Sequence, residues 1–154
     1  MSPRAAWRLE AAGFGPVYDY VAGKSDWLAA DLPFEGTAQL AGMFTRREIA
    51  TASKDTPAQE ALEQLLARGF DPVLVLNQAG VVMGAAHRDQ LESAAAGTQA
   101  GTLMMRFGVT TVRPSEQAAD LVHRMHHAQV SRIVVTRSDG TLVGLFFADD
   151  LVQA

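Results

Sequence analysis

The sequence predicts an α/β (α+β) fold made of two tandem copies of one unit, and three observations carry that expectation. Residues 50–91 align on residues 110–151 without a gap at an offset of sixty. In that register Gly80-Val81-Val82-Met83-Gly84 lies opposite Gly140-Thr141-Leu142-Val143-Gly144, and Asp89 and Leu91 lie opposite Asp149 and Leu151, with Thr51/Thr111, Ala58/Ala118 and Val75/Val135 as further identities. Each copy also runs through one series of patterns: a brief strand, a helix, two strands joined by a turn, and a closing helix. Such a period implies pseudo-twofold symmetry between units that bury their apolar faces together.

Size and composition agree with one ordinary globular body. A chain of 154 residues can bury roughly 68–70% of its unfolded surface. Hydrophobic residues make up 48% and no apolar stretch is continuous over the roughly 18 residues that a membrane-spanning helix needs. Residues 1–10 place charges among the apolar positions, so a secretory signal is not expected and the protein reads as cytoplasmic. The absence of cysteine excludes disulfides, thiolate metal sites and cysteine nucleophiles. A net charge of −4 argues against nucleic acid as a partner, because phosphate contacts need a concentrated basic surface.

Element by element, Arg4 to Ala12 predicts a helix stopped at Gly13, a residue that accepts the left-handed conformation beyond a helix end. Val17-Tyr18-Asp19-Tyr20-Val21 alternates as a strand would, and Ser25-Asp26 is placed to cap a second helix reaching Ala30 before Pro33. Residues 37–49 form a partly helical connector. The first copy opens with a brief strand at Ile49 to Ala52, and Thr56-Pro57-Ala58-Gln59 reads as a capping-box start to a helix that Gly69 ends. Val73-Leu74-Val75-Leu76 suits a buried strand, Asn77-Gln78-Ala79-Gly80 a turn, Val81 to Ala86 its partner strand, and His87 to Ala95 the closing helix. In the second copy, Val109 to Val112 is the brief strand and Ser115 the expected helix cap. Ala118, Leu121, Val122 and Met125 form the buried helical stripe. Ile133-Val134-Val135 and Leu142 to Phe147 are the strand pair around Ser138-Asp139-Gly140.

The stretch Val130-Ser131-Arg132-Ile133-Val134-Val135-Thr136-Arg137-Ser138-Asp139-Gly140-Thr141-Leu142-Val143-Gly144-Leu145-Phe146-Phe147-Ala148-Asp149-Asp150-Leu151 resembles the second half of a CBS-domain pair. It carries a Ser-Arg-hydrophobic strand, an Asp-Gly turn, a Leu-Val-Gly strand and an Asp-Leu helix in register. With the weaker first copy, the resemblance covers residues 44–154, one Bateman module, divided as 44–100 and 101–154 after an extension of residues 1–43. It implies a non-enzymatic regulatory unit that homodimerises and binds an adenosine-containing ligand (AMP, ADP, ATP or S-adenosylmethionine) between the repeats.

The family's ribose motif is Gly-hydrophobic-hydrophobic-Thr/Ser-x-x-Asp. Gly144 and Asp150 match it in the second copy, where Phe147 replaces the hydroxyl; in the first copy Gly84 matches, with His87 and Gln90 at the hydroxyl and carboxylate positions. The resemblance therefore assigns Thr110, Thr111 and Val112 to the base, Asp150 to ribose, and Ser131 and Arg132 to phosphate. Each has a plainer role. Asp150 in the first turn of a terminal helix stabilises that helix by roughly 0.3–1 kcal/mol with no ligand, Arg132 suits a surface ion pair, and Phe147 suits the core. The alternative to a sensor is a degenerate, ligand-free dimerisation scaffold.

Residues 12–33, with Trp27 on the second helix, resemble the tail of a rhodanese domain. Only that tail is present, so persulfide transfer is not implied. Trp7, Tyr18, Tyr20 and Trp27 are expected to pack on the repeats or on a protein partner reached through residues 1–36. Gly23-Lys24-Ser25 lacks the earlier glycine of a phosphate-binding loop, and Gly13-Phe14-Gly15 follows a helix and lacks the third glycine of a dinucleotide fingerprint. Asp120, His123 and His127 share a helix face and could meet a zinc ion, but a solvated face opposite Leu121 and Met125 accounts for them, and no metal is expected.

Overall fold

The computed structural model describes residues 3–106 and 109–152. Two helices come first, α1 (Pro3–Ala11) and α2 (Gly23–Ala29), then a 3-10 turn at Ala41–Phe44 and a short strand β1 (Thr45–Arg46). The first repeat is β2 (Thr51–Ser53), α3 (Ala58–Arg68), β3 (Val73–Leu76), β4 (Val82–Ala86) and α4 (Arg88–Glu92). After α5 (Ala100–Leu103), the second repeat is β5 (Thr111–Val112), α6 (Ala118–His127), β6 (Arg132–Thr136), β7 (Leu142–Phe147) and α7 (Ala148–Val152). The repeating order is the one expected.

Each sheet pairs its opening strand parallel to the next strand and closes with an antiparallel hairpin, giving the orders β2-β3-β4 and β1-β7-β6-β5. The hairpin turns are built alike: the Asn77 side chain accepts the N–H groups of Ala79 and Val81, Asp139 accepts that of Thr141, and Gly80 and Gly140 take positive φ values of 77° and 87°. The twofold runs between these turns. Val82 N–H donates to Gly140 and Leu142 N–H donates to Gly80, at 3.2 and 3.0 Å.

Each repeat has its own core, around Leu65, Val73 and Val75 in the first and Leu121, Met125, Val135 and Phe146 in the second. A third cluster, Ile49, Leu74, Ala85, Val134 and Leu145, joins the two sheets. This joint is symmetric, because Leu74 and Ala85 stand opposite Val134 and Leu145 in the register of sixty.

The repeats also exchange the segments that precede them. Ala41 and Gly42 donate N–H groups to Glu116 and Pro114 of the second repeat, whereas Ala100 and Gly101 donate to Thr56 and Lys54 of the first. Strand β1 then lies antiparallel on β7, and Met105 exchanges two backbone hydrogen bonds with Ala85. These crossings explain the paired glycines. A β-carbon on Gly144 would lie 2.1 Å from the Arg46 carbonyl oxygen, and one on Gly84 would lie 2.6 Å from that of Met105.

Several local expectations are corrected. Thr56 does not cap α3; its hydroxyl accepts the Ser53 N–H, and Pro57 takes the cap position. Ser115 lies in the turn before α6, which Gln117 precedes directly. The closing helix α4 ends at Glu92 rather than Ala95. Residues 17–21 form no strand, and α2 begins at Gly23, so Ser25 and Asp26 lie inside its first turn. There Asp26 accepts the Tyr20 hydroxyl at 2.8 Å and pairs with Arg137. The hydrogen bond from Tyr20, followed by that from Arg137, holds the Asp26 carboxyl below its ordinary range. Leu28 and Ala29 are buried, and Arg47 donates to the Ala29 carbonyl, so α2 is docked on the repeats. The aromatic residues contribute little to this docking. Trp7 and Tyr18 are 66% and 80% exposed, and Tyr20 and Trp27 pack on each other edge to face at 5.3 Å.

Candidate ligand cleft between the repeats

A cavity of about 550 Å³ opens where the second repeat's opening strand and the start of β6 face the end of β4 in the first repeat. That volume lies within the range of small-molecule pockets, roughly 300–1,000 Å³. Thr110, Thr111 and Val112 line one side, Ser131 and Arg132 another, and Pro72 and His87 of the first repeat the third. Its floor is apolar, formed by Leu74, Ala85, Val134 and Leu145 of the joint between sheets. Five of the six residues assigned from sequence therefore meet at one cavity, brought there by the parallel pairing of Thr111 with Val134 and Val112 with Val135.

The polar rim converges on Asp71. Its Oδ2 accepts from Arg132 Nη2 at 3.1 Å and lies 3.2 Å from His87 Nδ1, and its Oδ1 accepts the Arg88 N–H at 2.9 Å. The Gln90 side chain accepts the His87 N–H at 2.9 Å, which turns its amide oxygen back on its own helix. Farther along the wall, Arg124 is paired with Glu116. Both arginines of the cavity thus carry a carboxylate partner.

Asp150 does not join this group. It stands on α7 at the pseudo-symmetric second cleft, where Arg46 holds its carboxylate with two hydrogen bonds, one of them 2.7 Å from Nε to Oδ2. The hydrogen bonds to Asp150 raise the Arg46 guanidinium pKa above its ordinary value. Sequence reasoning grouped Asp150 with the opening strand of its own repeat. In the fold each cleft is assembled across the twofold, so Thr110–Val112 face His87 of the other repeat and Asp150 faces Arg46 and Phe70.

The same crossing explains which cavity residues went unassigned. His87 and Pro72 could have been found by projecting Phe147 and Arg132 through the register of sixty. Asp71 could have been found in the same way from Ser131, although its contact with Arg132, 61 residues away in sequence, exists only after folding.

Among the described residues, no group of three His, Cys, Asp or Glu side chains is arranged to hold a metal ion, and His123 and His127 contact each other edge to face at 4.6 Å. Among those residues no helix is long and apolar enough to cross a membrane.

A family model described as the CBS domain matches residues 37–97 and 100–154. The γ-3 subunit of 5′-AMP-activated protein kinase from Bos taurus is 28% identical over 130 residues, covering 77% of this chain and 26% of that protein, so the chain spans about a quarter of that relative's length. Among solved structures, the CBS domains of a transcriptional regulator from Streptococcus pneumoniae align with a TM-score of 0.66 at 19% identity, covering 75% of this chain and 98% of that one. CBSX2 in complex with AMP aligns with a TM-score of 0.62 at 20% identity, covering 75% and 94%. The rhodanese resemblance of residues 12–33 gains no support from these matches.

Proposed function

The chain belongs to the CBS-domain family, and from that premise we propose that it is a non-catalytic regulatory module that senses an adenosine-containing ligand in the cleft between its repeats. The observation that carries this reading is the cavity of about 550 Å³ lined by Thr110, Thr111, Val112, Ser131 and Arg132. Backbone groups flanking β5 are placed to meet a flat heterocycle over an apolar floor, and Arg132 stands at the rim for a phosphate or carboxylate. Support comes from CBSX2, which shares the fold and was solved with AMP, and from the 5′-AMP-activated kinase subunit that matches by sequence. The module acts in the cytoplasm as a homodimer.

Calorimetry and thermal-shift assays with AMP, ADP, ATP, S-adenosylmethionine and NAD test the reading. Saturable binding that Arg132→Ala or a bulky substitution at Thr111 weakens would support it; no binding by any of the five would end it.

A second reading, a ligand-free dimerisation scaffold, is favoured by one feature: Arg132, Arg124 and Gln90 already have partners within the protein. It predicts a stable dimer in light scattering with no ligand-dependent change.

A further inference from the structure

The second cleft differs from the first at every position that meets its occupant. The guanidinium carbon of Arg46 lies 4.8 Å from the Phe70 ring centroid and 4.6 Å from that of Phe147, and the two rings are 5.1 Å apart. Asp150 takes the edge of the same guanidinium through two hydrogen bonds. Strand pairing of Arg46 with Leu145 holds the backbone of the cation in place. Through the twofold, Phe70, Phe147 and Asp150 correspond to Val130, His87 and Gln90, and the backbone position of Arg46 over Gly144 corresponds to Met105 over Gly84. The two phenyl rings, the carboxylate and the cation thus occur together at one cleft, and none of them stands at the matching positions of the other, whose Arg132–Asp71 pair is placed differently.

We propose that the second cleft is a cation site of guanidinium class, built from Phe70, Phe147 and Asp150, which the chain fills with its own Arg46. A guanidinium is planar, stacks on aromatic faces and presents parallel N–H donors that match a carboxylate. An ammonium has no plane to stack and no fork to pair. The internal occupant directs Asp150 away from any ligand, and the depression of about 550 Å³ beside it is walled by Thr45, Arg46, Arg47, Glu48, Arg68 and Phe70 rather than by Asp150. This proposal concerns the second cleft alone and does not depend on what the first cleft binds.

Arg46→Ala vacates the site, and methylguanidinium is the probe, followed by amide chemical shifts. The expected result is a saturable perturbation around Phe70, Phe147 and Asp150 in the variant, absent from the wild type, lost in Arg46→Ala/Asp150→Asn and weaker with methylammonium. No saturable response in the folded variant, an equal response from the wild type, or equal binding of the two cations would overturn the proposal. The wild-type protein supplies a second test that needs no variant to fold. Ring currents from Phe70 and Phe147 should move the Arg46 δ-methylene protons upfield, and unshifted signals would likewise overturn it.

Discussion

The two clefts share one backbone plan and differ in what occupies them. At the first, Val130 and His87 line an open cavity whose rim charges meet at Asp71, and Met105 and Gln90 hold the positions that match Arg46 and Asp150. At the second, Arg46, Phe70, Phe147 and Asp150 pack against one another. The shared features are those the crossing segments demand: Gly84 and Gly144 under the traversing strands, and the Gly80 and Gly140 turns beside the twofold. The features that differ are side chains pointing into the clefts, where packing of the repeats imposes no common choice. Duplication therefore preserves the joint and leaves each cleft free to diverge.

The repeats can be set against each other by mutation. Phe146 is completely buried in the second core, while the matching position in the first carries Ala86. Phe146→Ala should destabilise the chain by about 3–5 kcal/mol in urea unfolding; a cost near 1 kcal/mol would mean that the two cores contribute more evenly than their residues suggest. Next in size come the crossing glycines. Gly144→Ala should cost about 1–3 kcal/mol, as overpacking of a close contact does, and more than Gly84→Ala, since its β-carbon would meet a carbonyl oxygen at 2.1 rather than 2.6 Å. The reverse order would contradict the tighter crossing at the second repeat.

Smaller effects sharpen the contrast between clefts. Asp150→Asn should lower stability by on the order of 1 kcal/mol or less, the range of a partly exposed ion pair, and should leave affinity for an adenosine ligand unchanged, while Arg132→Ala weakens that affinity. Calorimetry with AMP should return one equivalent per chain; two would show that Arg46 does not keep Asp150 from a ligand. The mildest expected effect is acid loosening of α2. The Asp26 carboxyl is held below its ordinary range, so its contribution is complete above the usual aspartate pKa and is lost as pH falls through the lower folded value. Trp27 fluorescence should change over that acidic interval, and Asp26→Asn should remove the transition.

Much of the fold was legible because its signals are local. Gly69 ends α3 at φ 74°, Asn77 and Asp139 make the turns, and short apolar runs mark β3, β4, β6 and β7. Helix starts were less legible, since Thr56 and Ser115 are good caps that form other contacts in the folded chain or sit upstream in a turn. The amino-terminal segment was read least well. Alternation at residues 17–21 suggested a strand, but among the described residues no strand pairs with it, and the turn at 21–22 is spanned instead by the hydrogen bond from Tyr20 to Asp26, which Arg137 also pairs.

By itself, the sequence determined the duplicated unit, its element order, its turns and the family, because each of these depends on residues near one another or on a constant spacing. Only the tertiary structure decided which side chains share a cleft. The segments before each repeat cross to the other one in a register one residue short of sixty, which places Arg46 beside Asp150, and the joint between the sheets brings Arg132 beside Asp71, by contacts that no local spacing encodes.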